Sequence, residues 1–267
     1  EAENFNWDWR VWALVLVGAA TMVQFFRWQS RQGGSALVPL ALFQDRNFSL
    51  AGATISTVGF AISTYIIPWM IYVQTVQGFT PTQAALLVLP SGVVSGLLSP
   101  WVGKLTNTHD PKPFAITGLT LAAASIGISA LITTPAVDPR WMYAIAVVYG
   151  VANSLMWGPL SMIATRNLDP RLAGAGSSVY NTTRQIGGVI GSAAIAAMMS
   201  SQLAAKLGDG AGAGDMATAG QATGPLPEAL HEPFALAMSN SIWLPCAVIA
   251  AGAVVACFFA RTKSWND

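Results

Sequence analysis

Nothing constrains this 267-residue chain more than its seven long, almost purely apolar stretches. They cover about 9–28, 49–76, 83–104, 113–134, 141–165, 174–200 and 235–260. A helix needs about 20 apolar residues to cross the hydrocarbon core of a bilayer. Inside that core each backbone polar group must find a partner, and a helix supplies its own. Charged residues make up 9% of the chain, against roughly 25% in soluble domains. The apolar stretches also lack the charged outer face that a soluble helix keeps. The sequence therefore predicts an all-α integral membrane protein in contact with the lipid bilayer.

Prolines inside these stretches fit that reading, because membrane helices tolerate them better than soluble ones. Pro68, Pro159 and Pro245 are predicted kinks, since each ring removes a backbone hydrogen bond and crowds the preceding turn. Gly158-Pro159 is expected to break its helix.

Seven crossings sort the loops into two sets. Ten of the 13 Lys and Arg fall on one side: Arg27, Arg31, Arg46, Lys104, Lys112, Arg166, Arg171, Arg184, Arg261 and Lys263. Only Arg10, Arg140 and Lys206 fall on the other. The positive-inside rule makes the first side cytoplasmic. This predicts a multi-pass protein of the plasma (inner) membrane with its first residue outside and its last inside.

Residues 1–28 then form an external segment and one transmembrane helix, with Trp7, Trp9, Trp12 and Trp28 as interface anchors. The chain opens without Met and runs straight into a span, as a piece of a longer membrane protein would. Residues 29–48 read as a cytoplasmic amphipathic connector. Residues 49–260 hold the remaining six spans, and 261–267 form a cytoplasmic tail. Segment 201–234 is rich in Gly, Ala and Thr and reads as a low-complexity external loop, with Glu228–Phe234 as a possible short surface helix.

The residues that carry chemistry are few. At about 100° per residue, Ser177, Asn181, Arg184, Gln185, Gly188 and Ser192 share one sector of the sixth span. Polar groups at membrane depth are costly unless they face protein or a wet cavity. The stripe is therefore expected to look inward, with Arg184 as a conformational or coupling residue. Tyr149, Asn153 and Trp157 fall at i, i+4 and i+8, so an amide is framed by two aromatic rings. That face could take a flat or cationic apolar solute, or it could pack within the bundle. Tyr65 lies one turn before Pro68 and is a further cavity candidate. Ser91/Ser95, Gly92/Gly96 and Ser99/Gly103 are small-xxx-small pairs expected to pack against another helix, as is the face formed by Gly118, Ala122, Ser125 and Ser129. Cys246 and Cys257 are eleven residues apart on one helix and too distant to bridge. No metal-ligand spacing, cofactor motif or nucleic-acid patch is present.

The order of spans, the Leu89-Pro-Ser-Gly…Ser99-Pro-Trp-Val-Gly-Lys-Leu105 stretch and, above all, Ser177-Ser-Val-Tyr-Asn-Thr-Thr-Arg-Gln-Ile-Gly-Gly-Val-Ile-Gly-Ser192 resemble the 14-helix drug:proton antiporter branch of the major facilitator superfamily. The resemblance covers only the second half of such a transporter. It implies a linker helix followed by a C-terminal six-helix bundle of two inverted three-helix repeats, 49–134 and 141–260. It also implies that Tyr65 and Asn153 lie on cavity-lining helices, and that the Arg184 helix borders the other half.

Two departures qualify this. The family's charged cytoplasmic motif is degenerate at Gly103–Lys112, where Asn107 and Thr108 replace the charged pair. In addition, none of the seven stretches contains Asp or Glu, so a proton-coupling carboxylate would come from an N-terminal half. The expected function is the C-terminal half of a proton-driven multidrug efflux transporter with a small amphiphilic or cationic substrate. An exporter of a lipid or one specific amphiphile is the alternative within transport. A non-transporting scaffold or receptor is the alternative outside it. An enzyme is not expected, since His109 and His231 both lie in loops.

Overall fold

The computed structural model describes residues 9–31, 38–138, 140–207 and 226–260. Trp7, the middle of the connector at 32–37, the stretch 208–225 and the tail 261–267 lie outside the described residues. Among the described residues seven α-helices follow one another: α1 (Trp9–Arg31), α2 (Arg46–Thr75), α3 (Pro81–Thr108), α4 (Pro111–Ile132), α5 (Arg140–Thr165), α6 (Ala173–Leu207) and α7 (Glu228–Cys257). No strand occurs among the described residues. Short 3-10 turns at Leu40–Gln44 and Pro170–Leu172 precede α2 and α6.

Local chemistry sets the helix starts. Asp45 accepts from the Phe48 N–H at 2.7 Å and caps α2. Thr80 and Gln83 form a reciprocal capping box with Pro81 at the first helical position of α3, an arrangement that satisfies two otherwise orphaned donors. Asp110 caps α4 ahead of Pro111. Between α2 and α3 the chain turns at Gly78, whose φ of 70° is a conformation that glycine adopts without a Cβ clash.

Among the described residues six helices, α2 to α7, are long and apolar enough to cross a membrane. The first expected crossing falls short of that measure. Although α1 has 23 residues, its second half carries Gln24, Arg27, Gln29 and Arg31, which lower its apolar character.

The consecutive pairs α2–α3, α3–α4 and α5–α6 hardly pack on one another, whereas α4 and α5 pack closely. The principal contacts of α2 are with α6 and α7, and those of α5 are with α3 and α4. Exchanging the triplet α2–α4 for α5–α7 turns the α2–α6 packing into α5–α3 and the α2–α7 packing into α5–α4. The α4–α7 packing maps onto itself. Each of these is a main contact of the bundle, so two equivalent triplets are interleaved, as inverted repeats require.

Three expectations are corrected. The helix does not break at Gly158-Pro159; α5 continues to Thr165, because losing one ladder bond is affordable where neighbouring helices hold the backbone. The loop expected at 201–234 is shorter than that. Gln202 to Leu207 are helix formers that extend α6, and Leu203 is buried. At the far side of the loop, α7 begins at Glu228 and runs unbroken through Pro233, with Glu228 favourably placed in the first turn. Finally, of the small residues on α3 only Ser91 is buried among the pairs named above. Gly92, Gly96 and Gly103 meet nothing within 4 Å. The face formed by Gly118, Ala122, Ser125 and Ser129 is buried, and a Cβ on Gly118 would stand 2.9 Å from the Met156 nitrogen of α5.

One end of the bundle is clasped around the C-terminus of α7. Asn47 Nδ2 donates to the Ala260 carbonyl at 3.1 Å, and the Ala260 N–H donates back to Asn47 Oδ1 at 2.9 Å. Arg46 donates to the Phe258 carbonyl at 3.0 Å and Lys112 Nζ to the Phe259 carbonyl at 2.8 Å. Cations there complement the negative end of the helix dipole, and the bonds hold the carbonyls of the three residues that follow the helix.

Candidate functional site

Two glycine contacts place the side chains of interest. On α5, a Cβ at Gly150 would lie 2.6 Å from the Ser91 carbonyl oxygen of α3. That close approach brings Tyr149 to the junction of α2, α3 and α5. On α2, a Cβ at Gly59 would collide with the Arg184 carbonyl of α6, which fixes Arg184 beside the α2–α5 junction.

Tyr149, Asn153 and Trp157 form a hydrogen-bonded ladder on one half-buried face of α5. Asn153 Nδ2 donates to the Tyr149 carbonyl at 3.1 Å, and Trp157 Nε1 donates to Asn153 Oδ1 at 3.0 Å. One amide N–H and one oxygen lone pair of Asn153 remain for other partners. At the Trp157 end, the Arg184 guanidinium carbon lies 5.6 Å from the centroid of the indole ring, within the range of a cation–π contact. At the Tyr149 end, the rings of Tyr65 and Tyr149 are 5.9 Å apart, and Trp69 follows 6.3 Å from Tyr65.

A cavity of about 240 Å³ opens at this aromatic end, lined by Tyr65, Trp69, Leu87, Ser91, Ser129 and Tyr149 among others. Its polar groups are largely committed. Ser129 Oγ donates to the Ser125 carbonyl at 2.9 Å, so its single proton is used. The 3.0 Å contact between Tyr65 and Ser129 is therefore a bond donated by the tyrosine. Ser91 Oγ donates to the Val88 carbonyl at 2.7 Å.

The structure separates the polar stripe of α6. Asn181, Gln185, Ser177 and Ser192 are exposed, while Arg184 and Gly188 are partly buried. The expectation that the whole stripe looks into this bundle is thus corrected. The buried face of α6 is Gly176, Tyr180, Gly187, Gly191 and Ile195, turned to one side of the stripe. Here Gly187 abuts Ser56, and a Cβ on Gly191 would lie 2.8 Å from the Phe60 carbonyl oxygen. A glycine face lets backbones approach more closely than any larger residue could, and that closeness decides which side goes in.

Asn181 Nδ2 donates to the Ser177 carbonyl at 3.0 Å, which leaves its Oδ1 open to a donor. Arg184 Nε and the Tyr180 hydroxyl are both buried without a hydrogen-bond partner among the described residues. An unmatched buried donor costs about 1–3 kcal/mol. The cation–π contact offsets about 0.5–2 kcal/mol at Arg184 and nothing at Tyr180.

Pro68, Pro159 and Pro245 are all buried inside unbroken helices. His109 caps the end of α3, with Nδ1 at 2.8 Å from Thr108 Oγ1, and His231 Nε2 lies 2.8 Å from the Leu226 carbonyl. No group of His, Cys, Asp and Glu suited to a metal ion occurs among the described residues. Sequence reasoning missed Gly59, Gly150, Gly187, Asn47 and Trp69. The Gly187-xxx-Gly191 spacing was the one signal that could have identified the buried face.

Six apolar crossing helices in interleaved triplets define a multi-pass helical membrane protein. Residues 2–192 match the sequence model of the Major Facilitator Superfamily, and the chain belongs to that family of transporters. It is 38% identical to an uncharacterized MFS-type transporter of Mycobacterium tuberculosis, over 97% of this chain and 45% of the relative. It is 28% identical to the multidrug resistance protein Stp of the same species, over 78% of this chain and 38% of the relative. It is 29% identical to a tetracycline resistance determinant of Streptomyces rimosus, over 76% of this chain and 60% of the relative. The chain thus spans about half the length of these relatives.

Proposed function

We propose that this chain is the C-terminal half of a proton-motive-force-driven exporter of small amphiphilic compounds, working by alternating access. The observation that carries the reading is the Tyr149–Asn153–Trp157 face. It is half-buried rather than packed away, it leads into an aromatic cavity, and it ends against Arg184. A packed structural helix would bury those rings fully. The exposed side chains of Asn181 and Gln185 lie on the next face of the bundle and would border the same pathway once a second helical bundle is in place.

The relatives named for multidrug and tetracycline resistance support an amphiphilic substrate. Glu228 and Glu232, in the first turns of α7, are the only carboxylates in the described helices. Both are exposed, so the titrating acid would belong to the second bundle. Arg184 would pair with an acceptor there in one conformer and lose it in the other, as a two-state element requires. In this reading the Arg46, Lys104 and Lys112 end is cytoplasmic. Efflux of a fluorescent drug from energised vesicles carrying the full-length protein tests the proposal. The expected result is efflux that collapses with the proton gradient. Efflux that survives collapse of the gradient, or no efflux of any amphiphile, contradicts it.

A further inference from the structure

The cavity and the arginine have a joint consequence for what this bundle accepts, and it deepens the functional reading above, on which it rests. The cavity lining carries no Asp, Glu, Lys, Arg or His. A cation entering it would find aromatic faces but no countercharge from this chain. The proton of Ser91 and that of Ser129 are spent on backbone carbonyls, and the Tyr65 hydroxyl is spent on Ser129. An anion would find no cation in the lining to receive it.

Arg184 adds a bias. Its guanidinium lies over the Trp157 ring, so that indole is taken by the protein's own charge, while the Trp69 indole lines the cavity itself. Trp157 is eight residues from Tyr149, about 12 Å along the helix. At an effective dielectric constant of about 20, like charges that far apart disfavour each other roughly tenfold in binding.

We propose that the Tyr65–Trp69–Tyr149 cavity is a site for an uncharged planar ring, and that Arg184 is the specificity-determining residue that turns cations away. The ring would stack on Tyr65 and Tyr149, with Leu87 and its apolar neighbours removing it from water.

The test uses the purified full-length protein and two dyes with the same ring system. Acridine is uncharged at neutral pH, and N-methylacridinium carries a fixed positive charge. Binding is read from dye fluorescence, and competition between the dyes fixes the ratio of affinities. The wild type is expected to prefer acridine by roughly tenfold. Arg184→Gln should close that gap, while Arg184→Lys, which keeps the charge, should hold it. Ala146→Trp, at a cavity-lining position, should remove acridine binding while the protein still elutes as a folded species. Equal affinities in the wild type, or a gap unchanged in Arg184→Gln, would overturn the proposal, as would acridine binding undiminished in Ala146→Trp. Because the readout is binding, an absence of proton-driven efflux would count against the functional reading alone.

Discussion

The packing of α2 on α6 and the packing of α5 on α3 are equivalents under the exchange of triplets, and both are entered through glycine. They are not built alike. On the α2–α6 side, glycines from both helices are in contact, with Gly59 against the Arg184 carbonyl and Gly187 against Ser56. On the α5–α3 side, only Gly150 of α5 is in tight contact, while Gly92, Gly96 and Gly103 of α3 face open space. Both α3 and α6 are rich in small residues, yet one spends them inside this bundle and the other holds them on its outside. A small-residue pattern therefore tells that a helix can be approached closely, but not by which neighbour. The α6 side also carries the cost of two unpaired buried donors, Arg184 Nε and the Tyr180 hydroxyl, whereas the three cavity hydroxyls traced on the other side, those of Tyr65, Ser91 and Ser129, are spent. The first looks built to change partners, and the second to receive a solute.

The comparison breaks most visibly at the glycines. Gly59→Leu should strip the protein of its folded state, because the obstructing atom is backbone and cannot swing aside. Overpacking typically costs about 1–3 kcal/mol and occasionally more, and this site belongs to the severe end. Fluorescence-detected size-exclusion after heating would show it as lost monodisperse protein. A variant as heat-resistant as wild type would mean that α2 and α6 are not held as described.

The next largest effect falls on function. Arg184→Ala is expected to abolish efflux while the protein still inserts, and Arg184→Lys to reduce it at least tenfold, because the planar fork is lost although the charge remains. Transport rates in vesicles with matched protein amounts decide this. Wild-type rates in both variants would leave Arg184 a headgroup anchor.

A smaller change is expected at Trp157. Replacing it with Ala removes the cation–π contact and the bond to Asn153, together about 1–3 kcal/mol. It should therefore alter the order in which substrates are preferred more than total activity. A panel of neutral and cationic dyes exported at unchanged relative rates would assign the ring to packing alone.

The smallest effect belongs to Gly96→Ala. With nothing within 4 Å of that position, the melting temperature should stay within the ordinary scatter of surface changes, about 0.5 kcal/mol. A drop comparable to Gly59→Leu would show that α3 is closely packed at a point where this chain supplies no neighbour.

Much of the architecture was legible in the sequence because the bilayer asks for one simple thing, a long apolar run, and α2 to α7 provide it. The helix ends were less legible. Glu228–Phe234 read as a short surface helix separate from the last span, whereas the two form one helix with a carboxylate in its first turn, as a helix start favours. The inward face of α6 was misread for a different reason. Hydropathy gives Gly187 and Gly191 little weight, so the polar residues beside them dominated the pattern, yet absence of a side chain is what buries that face. Tyr149, Asn153 and Trp157 stood out because their spacing is regular. Their connection to Arg184 depends on how α5 and α6 approach through α2, and no spacing within one helix encodes that. The clasp of Asn47 on Ala260 joins residues 213 apart and has no local signal at all.

The central claim is that the α5 ladder and the exposed stripe of α6 border one water-filled pathway. It is tested most directly by single cysteines in the full-length protein with Cys246 and Cys257 replaced by serine. The account predicts that Asn153→Cys and Asn181→Cys react with a membrane-impermeant maleimide and are protected by substrate. Val189→Cys, exposed on the apolar side of α6, should not react. Labelling of Val189→Cys as fast as Asn181→Cys, or no labelling at Asn153→Cys and Asn181→Cys, would contradict it.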